Sequence, residues 1–156
     1  VSLTKQIAKH FRDLHFGGNW TSVNFKDSIK DITWQQATTQ VDSLNTIAKL
    51  VFHCNYYVSI MLKVLQGGPL VGSDKFSFDC PPINSQQDWE QLVNKAMTEA
   101  EQFAILVEQL PDSKLSENFG DEKYGNYYRN LHGVIEHTHY HLGQINIIKK
   151  LIAQQG

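Results

Sequence analysis

Apolar residues recur every three to four positions along four long stretches of this chain, and glycine or proline closes each of the first three. That period belongs to a helix burying one face. The first stretch runs from about Thr4 to Phe16, carries Ile7, Phe11 and Leu14 on one side, and stops at Gly17–Gly18. A second helix is expected from Asn45, a good N-cap, to Gln66 ahead of Gly67–Gly68–Pro69. Its inward stripe is Ile47, Val51, Cys54, Val58, Met61 and Leu65. Ser85 followed by Asp88 reads as a capping box with Asp in place of Glu. It opens a third helix to about Leu110, with Leu92, Ala96, Phe103, Leu106 and Leu110 facing inward. The fourth covers about Asn126 to Gln154, with Leu131, Val134, His141, Ile145, Ile148 and Ile152 inward and His137 beside them. Between Asn19 and Leu44 strict alternation is absent. Short helices are expected there, near Phe25–Lys30 and Thr33–Ala37, rather than a strand. The pattern implies an all-α fold, a four-helix bundle with short helices in its first long connection.

The remaining bulk properties narrow the class. A chain of 156 residues fits a single domain, 1–156, and buries a core without disulfide or metal staples. The net charge of −2 and the lack of any basic stripe argue against nucleic acid as a partner. No stretch approaches the ~20 apolar residues of a membrane span, and the amphipathic N-terminal segment lacks the apolar core of a signal peptide. Cys54 and Cys80 do not form a disulfide framework and read as reduced thiols. The expectation is a cytoplasmic protein with no membrane partner.

Seven histidines stand out, four of them between positions 132 and 141. Residues four apart on a helix share a face, so His137 and His141 project side by side. A His-x-x-x-His pair is more often two solvated side chains than a site. This pair, however, falls on the apolar stripe of Val134, Ile145 and Ile148, and two buried imidazoles need hydrogen-bond partners or an ion. Helix bundles build metal sites from side chains on facing helices. The third ligand is expected to be His53, on the row of Leu50, Tyr57 and Ile60 in the second helix. Taken alone, His53 would read as a core histidine bonded to a carbonyl or a tyrosine. His139 points away from the pair, about 200° around the helix. Cys54 is about 100° from His53 and makes a poor fellow ligand. His132 is read as pairing with Glu136 on an exposed face, and His10 and His15 as surface or packing residues.

The segment Gly133-Val-Ile-Glu-His137-Thr-His-Tyr140-His141-Leu-Gly143-Gln144-Ile145 resembles the C-terminal signature of the DinB superfamily: a His, three residues, a second His, then a residue and Gly-Gln-Ile. Gly18-Asn-Trp20, Ile32-Thr-Trp-Gln-Gln-Ala37, the lone His53 and Asp79-Cys-Pro81 before Trp89 follow in the expected order, so the resemblance spans nearly the whole chain. It implies a YfiT-like bundle in which His53, His137 and His141 bind zinc or nickel, and it implies pairing as a homodimer. Gly143 is expected to permit close helix packing. Leu142 departs from relatives that carry Arg or Ala there.

Three functions follow from this resemblance. The first is a transferase using a low-molecular-weight thiol, whose thiolate the ion would stabilise. The second is a hydrolase using metal-activated water, and the sequence places no clear general base beside the histidines. The third is a non-enzymatic, dimeric, stress-associated metal-binding domain. An enzyme should leave one metal position open to a small-molecule pocket. Trp20, Tyr57, Tyr140 and Gln144 are the expected pocket residues.

Overall fold

The structure, a computed structural model, describes residues 1–156. It is all-helical: α1 (Leu3–Phe16), α2 (Phe25–Ile29), α3 (Trp34–Thr38), α4 (Ile47–Leu65), α5 (Gln86–Gln109) and α6 (Tyr127–Gln155). Single turns of tighter helix interrupt the last two long connections at Asp74–Phe76, Asp112–Ser116 and Glu122–Tyr124. The four long helices form the bundle, and α2 and α3 lie in the first long connection. In cross-section α5 sits between α1 and α4, and α6 closes the ring between α4 and α1. The α4–α6 seam is looser than the α4–α5 seam, and the histidines lie across it.

Each helix begins where a side chain satisfies its free N–H groups. Ser2, Asn24, Thr33, Thr46, Ser85 and Asn126 all accept from the backbone N–H three residues on. Thr46, not Asn45, caps α4. Its hydroxyl accepts from Lys49, which sets the first turn at Ile47. At Ser85 only half of the expected box forms: Ser85 accepts from Asp88 N–H, but the Asp88 carboxylate accepts from Asn84 N–H instead of returning to Ser85. The shorter Asp arm stops one residue away from the box geometry. A complete box occurs at Thr33 and Gln36.

The core is apolar and continuous, with Phe11, Phe25, Phe103 and Phe119 fully buried. Leu65, Leu106, Leu110 and Ile152, expected inward, are only half-buried at its margin. Smaller residues take the inward positions along α5 instead: Ala100, Ala104 and Val107 are fully buried. They let α5 approach both neighbours closely.

Polar pins lock the connections. Asp112 accepts from the N–H groups of Leu3 and Thr4 at 2.9 and 3.0 Å, tying the start of α1 to the loop after α5. Trp89 Nε1 donates to the Ile32 carbonyl at 2.8 Å, fastening the α2–α3 connection onto α5. Lys149 Nζ donates to Ser28 O at 3.0 Å, and Asn146 Nδ2 donates to Ser28 Oγ at 3.0 Å, so α2 is held on α6. Gly143 departs from expectation. A Cβ placed there meets nothing within 4 Å, so it is an exposed glycine and not a close-packing one. No helix is long and apolar enough to cross a membrane.

Candidate metal centre

The middle of α4 supplies His53, buried at 6% exposure, and the middle of α6 supplies His137 and His141. One ring nitrogen from each lies within 4.8 Å of the other two. His53 Nε2 and His137 Nε2 are 3.0 Å apart, and the His141 ring lies edge-on to both, with centroids 4.6 Å away.

The partners of the outer nitrogens set the tautomers. His53 Nδ1 is 3.1 Å from the Ser77 carbonyl, which can only accept, so Nδ1 carries the proton and Nε2 presents a lone pair. His141 Nδ1 is 2.7 Å from Gln144 Oε1, and with the amide oxygen accepting, the same argument holds. Two imidazoles thus turn lone pairs toward one point, and His137 Nε2 faces one of them at hydrogen-bond distance. Such an arrangement is satisfied either by His137 donating its Nε2–H to His53 Nε2 or by a cation between the lone pairs. His137 Nδ1 is buried without any partner.

Burial lowers the basicity of the cluster. It brings the His137 imidazole down to about 4, with the neighbouring His141 and His53 adding to the effect. Burial also lowers His53, opposed in part by the Ser77 bond, with His141 pushing the same way as burial. Both rings are therefore neutral near pH 7, the form that ligates metal. Three imidazoles whose ring nitrogens lie this close together are a donor set that can hold one divalent metal ion, and the residues present fit such an ion.

The loop between α4 and α5 completes the site. Phe78 stacks on His53, with ring centroids 3.8 Å apart and planes 6° from parallel. Asp74 Oδ1 accepts from the Tyr57 hydroxyl at 2.7 Å, and Ser77 Oγ donates to the Asp74 carbonyl at 2.7 Å. These bonds fix the Ser77 carbonyl that orients His53. Ser77 and Phe78 were not singled out in the sequence. Ser77 reaches His53 through its backbone oxygen, and its side chain contributes only the bond to the Asp74 carbonyl, so little in the sequence marks it.

A cleft of about 700 Å³ opens beside His137, with Tyr57 and Tyr140 among its walls. Gln144 is not one of them: it holds His141 and faces a separate hollow with Leu44 and Ile147. Trp20 is 100% exposed and lines neither the cleft beside His137 nor the hollow at Gln144. The left-handed backbone of Gly17 and Gly18, at φ of 118° and 97°, turns the chain off the end of α1 and leaves Trp20 in solvent. His132 does not pair with Glu136. Its ring packs on Tyr128 and its Nε2 is buried without a partner. His15 is a packing residue, with Nδ1 bonded to the Phe11 carbonyl at 2.9 Å. His139 lies 3.4 Å from Thr21 Oγ1, away from the cluster.

The family model described as the DinB superfamily matches residues 20–145. The chain belongs to the DinB superfamily. The matched segment runs from Trp20 to Ile145 and so includes all three clustered histidines and Gln144. No curated protein and no solved structure matches this DinB-superfamily chain.

Proposed function

We propose that this DinB-superfamily chain is a metal-dependent transferase acting with a low-molecular-weight thiol, using zinc or nickel held by His53, His137 and His141. The observation that carries the reading is the convergence of the three imidazoles beside an open cleft, with no carboxylate bonded to any of them. Bound there, the ion would polarise a thiol sulfur and stabilise its thiolate, the reactive nucleophile. The chain's own residues then have defined tasks. Ser77 O and Gln144 Oε1 keep two Nε2 lone pairs aimed inward. Phe78 and Tyr57 shield the rings from water on the α4 side, and the cleft beside His137 admits the small molecule.

Hydrolysis is the second reading, and one observation favours it. Glu136 lines the same cleft as His137, and its carboxylate makes no ion pair or hydrogen bond. A free carboxylate in that place suits a general base. Glu136→Gln separates the two readings: it would abolish hydrolysis and leave thiol transfer near its original rate.

Two further parts of the reading are pairing as a homodimer and residence in the cytoplasm. Apolar side chains left at the surface along α6 and its neighbouring loop, Ile147 and Leu44, support the first. Two unpaired cysteines support the second. Sedimentation equilibrium tests the pairing.

The decisive experiment is metal analysis of protein purified without a His-tag, beside a His137→Ala/His141→Ala double variant. About one zinc or nickel per chain, lost in the variant, is the expected result. Wild-type protein that stays metal-free after zinc or nickel is added would overturn the reading.

A further inference from the structure

Arg129, Gly133, His137 and His141 succeed one another at four-residue steps along α6, so they form one row on its surface. The first three line the cleft. Arg129 lies two turns before His137, about 12 Å along the axis at ~1.5 Å per residue. Between them, Gly133 leaves a gap: a Cβ there would meet nothing within 4 Å. Tyr57 and Met61 of α4 form the facing wall.

The Arg129 guanidinium has no partner. It takes part in none of the ion pairs of the chain, and only its backbone N–H is hydrogen-bonded, to Asn126 Oδ1. Its position makes this notable. Arg129 is in the first turn of α6, where the helix dipole disfavours a cation, and that turn holds no acidic residue. This cation stands against the dipole, exposed at the rim of the cleft with its side chain resting over Gly125, and has room to take an anion that the protein itself does not supply. The helix terminus then adds to the same field instead of opposing it.

We infer that the cleft selects small, extended molecules bearing a carboxylate or phosphate that pairs with Arg129, while their opposite end reaches the histidine cluster. Arg129 is the specificity-determining residue and Gly133 is the space the ligand's middle occupies. The inference rests on the thiol reading of the cluster for the chemistry of the far end, but not for the anion.

The test uses cobalt-loaded protein titrated with mercaptooctanoate and, separately, with mercaptooctanamide, each with its thiol at the far end. The sulfur-to-cobalt absorption band in the near ultraviolet reports binding. The carboxylate should bind about tenfold more tightly than the amide, the low end for a hydrogen bond to a charged group because Arg129 is exposed. Arg129→Gln should remove that preference and leave the amide's affinity unchanged. Gly133→Leu should weaken both. Equal affinities in the wild type, or a preference that survives Arg129→Gln, would overturn the inference while leaving the metal reading intact. If cobalt does not bind, or no thiol gives the band, the metal–thiol reading falls. The anion site is then decided on metal-free protein by the Arg129 side-chain NMR signal. A saturable shift with octanoate that octanamide does not produce supports it, and no shift overturns it.

Discussion

Gln144 accepts from Nδ1 of His141 at 2.7 Å, so a residue one turn along α6 holds the imidazole in the tautomer that frees Nε2. This contact gives the Gly143-Gln144-Ile145 segment a physical role beside the histidines without making the glutamine a ligand. Outer bonds of this kind typically account for ten- to hundredfold in metal affinity. Gln144→Leu should therefore weaken zinc binding by about tenfold or more, with unchanged helicity. Gln144→Glu, which keeps an acceptor, should retain most of it. Competition against a chromophoric chelator measures both, and an unaltered affinity in Gln144→Leu would remove the orienting role.

Metal binding should also appear as stability. A ligand at about 100 times its dissociation constant adds ~2.7 kcal/mol to folding when only the native state binds it. For a domain of this size each kcal/mol raises the melting temperature by roughly 2–4 °C, so saturating zinc should give a rise on the order of 5–10 °C. His53→Ala should lose that rise, because it removes the only donor from α4 and with it the link across the α4–α6 seam. Calorimetry with zinc and with a chelator reads the difference. A zinc-dependent rise that persists in His53→Ala would place the ion elsewhere.

The parts of the site legible in the sequence are those set by helical spacing. His137 and His141 had to share a face because they are four apart, and the apolar stripe around His141 turned that face inward. His53 could be placed on an inward row of α4, although the depth at which it meets the other two depends on how α4 and α6 cross. Loop contributions were not legible. The Ser77 carbonyl and the Phe78 ring reach His53 through the turn at Asp74–Phe76, which no periodicity encodes. Trp20 shows the opposite failure. A large aromatic close to a motif suggested a wall, but its direction was fixed by two left-handed glycines that a spacing argument does not weigh. The bundle itself was readable because caps, breakers and stripes all agreed on four helices.

Gly143 provides a test of that kind of error. A glycine inside a motif suggested close packing, yet its missing side chain faces open space and its backbone is ordinary helix. An exposed helical glycine costs about 0.5–1 kcal/mol relative to alanine. Gly143→Ala should stabilise the isolated chain by that amount in urea denaturation, with metal binding unaffected. Destabilisation, or a change in oligomeric state, would mean that a second copy approaches α6 at this position.

His15 sets an acid limit on the fold that is independent of the histidine cluster. Its ring is buried between Phe11 and Phe25, and burial brings it down to about 4, opposed in part by its bond to the Phe11 carbonyl. In the unfolded chain the same imidazole titrates near 6.5. Below that value the unfolded state binds a proton that the folded state refuses, so folding loses stability as pH falls from about 6.5 toward 4. A shift of this size corresponds to ~3 kcal/mol across that window. His15→Phe keeps an aromatic ring in the pocket and removes the proton. The drop in unfolding free energy between pH 7 and pH 4 should then be about 3 kcal/mol smaller than in the wild type. Comparing the two proteins cancels the acid sensitivity of His53 and His137, which both share. Equal losses in the two proteins would show that His15 takes up its proton without unfolding the core around it.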